Sequence, residues 1–286
     1  MRKNSIRKFW LMALLLLCNT HWVSAQENEF GIMGGAAQYL GDLNPRFSFK
    51  TARYNASMLY RYNFNPRMAF KLTLNYGMIA ASDHKINTKD SYKYLRNLDF
   101  SSQIFAVEGT YEINFLPYIL GSKKNRFTPY MYAGLGMFYY NPTTNFNGQR
   151  IKLEQVGTEG QKNQNIDGNK GYSNYSVAIP FGGGFKFALN NNWSFLVDIS
   201  SRRTFIDYMD DVSKVYPDFN DDGFGYYDPI TGVNIAELIS DRSYELTTQP
   251  IGRVNQQRGT SKDNDRFNFY SIGITYTIRT SKCPTF

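Results

Sequence analysis

The stretch "IPFGGGFKFALNNNWSFLVDIS", Ile179 to Ser200, holds the key to the fold. Ile179, Phe181, Gly183, Phe185, Phe187 and Leu189 fall on one side of an extended chain. Pro180, Gly182, Gly184, Lys186 and Ala188 fall on the other. After Asn190-Asn191-Asn192 the alternation restarts, with Trp193, Phe195, Val197 and Ile199 opposing Ser194, Leu196, Asp198 and Ser200. Side chains of a strand alternate between two faces, so a period of two reports two environments. One of them is apolar without a break; the other accepts Lys186 and Asp198.

The same alternation recurs over 52–64, 68–78, 104–115 and 268–279. Two glycine-rich stretches, 29–40 and 127–141, bring the expected strands to eight, their facing left open. A tilted strand needs about 9–11 residues to cross a bilayer, and these runs are long enough. Asn65-Pro66-Arg67 and Asn190-Asn191-Asn192 are tight turns and 116–126 is a moderate one, whereas 42–50, 82–96, 142–172 and 207–265 are long. Short turns at one end and long loops at the other are the pattern of outer-membrane barrels. The expected fold is therefore all-β: an eight-stranded antiparallel transmembrane β-barrel with long extracellular loops. In a soluble sandwich, structureless loops as long as 142–172 and 207–265 would be unusual.

Arg2, Lys3, Arg7 and Lys8 precede the apolar run 9–17, and Val23-Ser24-Ala25 ends in small residues. This is the layout of a secretory signal peptide, 1–25, cleaved after Ala25 to leave a barrel domain of residues 26–286. The expected location is the outer membrane, with its lipid as the first partner. Cleavage would leave Cys283 and His84 as the sole cysteine and histidine. That excludes an internal disulfide and a Cys/His zinc site. With no serine nucleophile motif beside His84, an enzyme is not expected. The remaining 28 basic and 24 acidic residues are spread along the chain, so no nucleic-acid partner is expected. An aromatic content of 16% with a mean hydropathy of −0.46 fits strands that are half lipid-facing.

Strand parity sends Arg53, Arg61, Lys71, Glu108, Glu112, Lys186, Asp198, Arg202 and Arg279 into the lumen. Eight strands leave an interior that side chains just fill, and buried charges must pair. A salt-bridge plug is therefore expected rather than a conduit. At the long-loop end Asp42, Arg96, Glu159, Arg203, Asp207, Asp210 and Asp211 come from four loops and suggest an ion-pair belt that holds them as a cap. Within 218–228, Asp218, Asn220 and Asp222 stand at alternate positions before Gly223, as in a calcium loop, with Asp228 one residue short of the place for a bidentate ligand. An Asp/Asn/Gly turn is the simpler reading there. No other cofactor is expected. "NIAELISDRS" (234–243) is the one plausible helix, with Ile235, Leu238 and Ile239 on a shared face.

The loop-proximal words are more specific than patterning. "YLGDLNP" (39–45), "RNLDF" (96–100), "TPYMYAGLG" (128–136), "LEQVGTEGQ" (153–161), "IPFGGG" (179–184), "RRTFIDYMDDVSKVY" (202–216) and "QRG" (257–259) occur in that order over nearly the whole mature chain. Together they resemble a Bacteroidetes outer-membrane β-barrel family that includes PorG of the type IX secretion system. The last loop is longer than in the shortest members. The resemblance implies a non-enzymatic component that anchors or organises the periplasmic ring of the PorK lipoprotein and PorN. The docking surface would be the 116–126 turn, with Lys123, Lys124 and Arg126. The alternative is a surface-binding or small-solute outer-membrane barrel unrelated to secretion.

Overall fold

The computed structural model describes residues 27–89, 91–161, 171–219 and 225–279; the leader and its expected cleavage site lie outside them. Eight long strands form the wall: β1 (Glu27–Leu40), β2 (Arg53–Asn65), β3 (Met68–Ser82), β4 (Asp99–Asn114), β5 (Phe127–Phe146), β7 (Tyr175–Ala188), β8 (Trp193–Thr204) and β9 (Arg266–Arg279). A short ninth strand, β6 (Gln149–Lys152), folds back on the end of β5. Every neighbour pair is antiparallel, and β1 pairs with both β2 and β9 while β4 pairs with β5, so the sheet closes into a barrel. Closure removes the exposed edges that an open sheet would carry.

The quoted stretch is the β7–β8 hairpin. Its turn is made by side-chain chemistry: Asn190 Oδ1 accepts from the backbone N–H of Asn192 and Trp193, each at 2.9 Å. Phe185 pairs with Val197 and Gly184 with Asp198, so the two apolar rows share one face. That face is the outside. Phe185 is 52% exposed, Leu135 72%, Met58 65% and Ile272 60%, and the outward apolar row continues on every strand. Water-soluble monomers rarely expose an apolar patch beyond a few hundred Å²; a wall apolar all round is a surface for lipid. Aromatic pairs sit near both ends of the wall, Trp193 with Tyr276 and Tyr139 with Tyr175, each at 5.1 Å between ring centroids.

Both tight turns, the 115–126 segment, the start of β1 and the end of β9 lie at one end of the barrel; the long connections lie at the other. The long connections fold into a cap. Among the described residues it contains four short α-helices, α1 (Asp83–Ile86), α2 (Tyr92–Arg96), α3 (Leu153–Val156) and α4 (Ile235–Ser240), and one 3-10 turn, Ser243–Glu245. Leu43, Leu98, Leu153, Val156, Met209, Val212, Ala236 and Ile239 from these loops pack with Tyr39, Ile79, Phe138, Tyr140 and Phe267 from the strand ends in one buried cluster. The expected helix is α4, and its buried Ala236 and Ile239 place it in this cap core.

Candidate functional site

Inside the wall, Arg61, Lys71, Glu108, Glu112, Lys186, Asp198 and Arg202 are buried where parity sent them. Arg61 Nη1 donates to Glu29 at 2.6 Å and its Nε lies 3.1 Å from Glu112. Glu112 also takes the ammonium of Lys186, which donates to Asn114 Oδ1 at 2.9 Å. Lys71 lies 3.8 Å from both Glu112 and Asp198 and 3.4 Å over the Tyr132 ring. Asp198 accepts from the hydroxyls of Tyr130 and Tyr132, each at 2.8 Å. One level up, Arg202 grips Glu108 with two nitrogens, at 2.8 and 3.1 Å, and covers the Phe269 ring at 4.1 Å. The network holds four bases and four acids. The gap left beside it, between Lys71, Glu108, Asp198 and Arg202, is about 10 Å³, at the lower limit for one water. The lumen is plugged.

One parity assignment needs correction, and one plug member escaped the sequence reading. Arg53 is the first residue of β2 and is exposed: the ladder from β2 to β3 stops at Asn55, which leaves its position open on that side. Glu29 belongs to the plug, although the glycines that follow it in β1 obscure the alternation that would have revealed it. The side chain of Arg279 falls outside the described residues.

The cap is joined by a second network, and the specific words meet in it. Glu159, held between left-handed Gly157 and Gly160, accepts from the N–H of Ser213 and Lys214 and from Arg258 Nη1, at 2.8, 2.9 and 2.9 Å. Arg258 also reaches the carbonyls of Asp211 and Ser240. A Cβ on the neighbouring Gly259 would lie 2.4 Å from Ser213 N, so glycine permits the approach. Arg96 forks onto Asp83 at 2.6 and 2.9 Å and donates to the Arg258 carbonyl. Asp211 takes the hydroxyls of Thr158 and Tyr172. Asp210 accepts from the N–H of Leu43 and Val212, while Asp265 accepts from Tyr39 and from Met209 N. Asp42, half-buried, accepts from Thr260 N at 2.6 Å.

The expected belt is thus a buried cap network with changed membership. Arg203 is not in it: it faces outward at the rim, since Arg202 and Thr204 hold the inward positions beside it. Arg258, from the word "QRG", and Asp83 and Asp265, which the sequence did not single out, supply the missing partners. Carboxylates outnumber cations here. Among the described residues Asp83, Glu159, Asp210, Asp211, Asp241 and Asp265 are buried against Arg96 and Arg258. Burial pushes the Asp211 carboxyl up to about 6 and the half-buried Asp207 up to about 7, and raises Asp210 and Asp265 well above the ordinary range.

At the opposite end the 115–126 segment folds over the barrel mouth. Tyr118 N donates to the Pro66 carbonyl at 3.0 Å and its hydroxyl reaches Ser194 Oγ at 2.6 Å, while Leu120 is buried. Lys123 and Lys124 are exposed at its tip; Arg126 lies 5.2 Å over the Phe187 ring. For the calcium loop, Asn220 and Asp222 lie outside the described residues. Asp228 Oδ1 is engaged by the N–H of Ile230 and Thr231, as in an Asx turn. Among the described residues no group of three His, Cys, Asp or Glu is placed to hold a metal ion. His84 stacks on Tyr94 at 4.4 Å.

Comparison with known proteins gives the family. The chain belongs to the family described as Domain of unknown function (DUF6089), whose model matches residues 7–228. No curated protein matches. Solved structures similar to this chain include Ail, the attachment invasion locus protein of Yersinia pestis, at 10% identity, TM-score 0.39, covering 89% of this chain and 100% of that one. Neisserial surface protein A is similar at 11% identity, TM-score 0.40, covering 87% and 96%. A major outer membrane protein from Thermus thermophilus is similar at 11% identity, TM-score 0.37, covering 88% and 99%.

Proposed function

We propose that this DUF6089 chain is a non-catalytic barrel of the outer membrane, its cap facing outward and its short turns facing the periplasm, and that it serves type IX secretion as PorG-like proteins do. Its task would be to anchor or organise a periplasmic ring of PorK and PorN type. The observation that carries this reading is that the chain closes its own lumen, with a charge plug in the wall, a cap over one mouth and the 115–126 segment over the other. Such a barrel has little room for a solute, so its work falls to its surfaces. On the periplasmic side, among the described residues, the longest connection is the 116–126 turn, whose exposed Lys123 and Lys124 and neighbouring Arg126 form a basic docking point tied to the barrel by Tyr118.

The test is photo-crosslinking in intact cells from position 123, with position 214 in the cap as the comparison. Capture of two periplasmic ring proteins from 123 and not from 214 supports the assignment. Capture of surface or extracellular proteins from 214 alone would favour the surface-binding alternative and end the secretion reading.

A further inference from the structure

A cleft of about 330 Å³ lies on the outer side of the wall at its cap end. Small residues make it. Ala80 and Ser82 of β3 pair with Ser101 and Asp99 of β4 and occupy the row that carries Tyr76 and Phe105 further down the wall. The apolar row therefore gives way, near the cap end, to a recess. Tyr54, Tyr76 and Phe105 form an aromatic rank below it, with successive ring centroids 6.3 Å apart. Aromatic ranks of this kind mark the level where hydrocarbon meets headgroups.

Three cations from separate elements line the recess: Arg53 from the end of β2, Lys85 from α1 and Arg150 from β6. Arg150 is held there by its Nε donating to Thr143 Oγ1 at 2.9 Å. All three are exposed, and among the described residues none has a carboxylate within ion-pair distance. The one acid lining the cleft, Asp99, is engaged by Arg242 and Thr144. The local balance is three unneutralised positive charges above a lipid-facing aromatic rank. The β5–β6 hairpin brings Arg150 there through Asn147-Gly148, whose φ values of 50° and 78° are those a two-residue hairpin turn requires.

We propose that this cleft binds the phosphate group of a membrane lipid headgroup, with Arg53, Lys85 and Arg150 as its donors. Arginine forks match phosphate geometry, and a lysine adds a compact charge. The site lies at headgroup height, where a lipid presents its phosphate while its chains lie along Tyr76 and Phe105. The inference rests on the barrel being embedded in a membrane and is independent of any role in secretion.

The full chain refolded in a zwitterionic detergent provides the test, with native mass spectrometry reading retained lipid. The probes are phosphatidic acid, phosphatidylcholine and inorganic phosphate. Phosphatidic acid should be retained at least tenfold better than phosphatidylcholine. The triple variant Arg53→Gln, Lys85→Gln, Arg150→Gln should lose that tenfold preference. A charge-matched control, Arg46→Gln, Arg203→Gln, Lys214→Gln, removes three exposed cations outside the cleft and should retain it. Unchanged preference in the cleft variant, or equal loss in the control, overturns the proposal. Inorganic phosphate that binds as tightly as phosphatidic acid overturns the lipid assignment, because the aromatic rank would then contribute nothing. All six positions are exposed, and the gel shift between heated and unheated samples verifies that each variant is folded. A wild-type chain that fails to enter detergent as a heat-modifiable barrel would instead sink the membrane reading itself.

Discussion

The plug and the cap are both buried polar networks, yet they balance charge in opposite ways. In the plug four carboxylates face four cations, and the central Glu112 is shared by Arg61, Lys71 and Lys186. In the cap six buried carboxyls face two buried arginines. A buried carboxylate needs a cation or a proton. The wall uses cations because rigid strands alternate strictly and put Arg and Lys at fixed heights opposite Glu and Asp. The cap is built from irregular backbone with many free N–H groups, and it uses those together with protons. The cap is therefore the network in which bound protons take part.

The sharpest way to break this contrast is Arg61→Ala. It strips Glu29 of its ion pair and Glu112 of one of its three. Breaking a buried pair costs roughly 3–5 kcal/mol, and the loss should fall on the whole barrel. Urea unfolding in detergent, followed by the heat-dependent gel shift, should show a lower midpoint; an unchanged midpoint would mean the plug is decorative. Next comes Arg258→Ala. It leaves Glu159 buried beside two N–H groups only, a comparable local cost, but one confined to the cap. Protease cutting within 205–219 and 251–265 should quicken while the barrel's gel shift persists. If the barrel unfolds along with the loops, cap and wall are one cooperative unit and the comparison fails.

A third outcome concerns pH. The Asp207 and Asp211 carboxyls sit above their unfolded value of about 3.9. The folded cap therefore holds protons that the unfolded chain releases. Their stabilisation is full below about pH 4 and is lost as pH rises through about 6 and about 7. For the buried Asp211 this amounts to about 1.4 kcal/mol per pH unit over the range in which it titrates. Hydrogen exchange at pH 5 and pH 8, corrected for intrinsic rates, should show cap amides losing protection while strand amides keep theirs. The smallest effect belongs to Asp210→Asn. Burial raises the Asp210 carboxyl, and an amide keeps one of its two acceptor oxygens, so the change should cost about 0.5–1.5 kcal/mol, the worth of one neutral hydrogen bond. A loss as large as that of Arg61→Ala would show that Asp210 holds the cap through both of its oxygens.

The wall was legible because its signal is local. Phe185 outside and Lys186 inside follow from a period of two, and one residue of slip would have reversed them. Legibility ended where glycine replaced the pattern. Gly35 carries no side chain because a Cβ there would lie 1.9 Å from the Tyr270 carbonyl, and Gly184 because one would lie 1.8 Å from that of Val197. Such close backbone approach cost β1 its alternation and hid Glu29. Asn147-Gly148 is a hairpin-turn signal that predicts β6, within the 142–172 connection that strand periodicity alone leaves as loop. The cap could be named only in part. Tyr39, Glu159, Asp210, Asp211 and Arg258 all stand in specific words, but the words do not say which of them meet: Arg258 meets Glu159 across 99 residues and Tyr39 meets Asp265 across 226. No local period encodes such meetings.

The Tyr39–Asp265 hydrogen bond straddles the seam where the first strand meets the last. The other strand pairings can form while the sheet is still an open ribbon; the β1–β9 ladder, and this contact with it, cannot. Tyr39 is also walled by Gly41, where a Cβ would lie 2.0 Å from the hydroxyl, so the ring has one seat and accepts one partner. The bond acts as a latch that engages once the ribbon has become a ring. It gives the molecule an order of assembly, in which the roof is finished after the walls have joined.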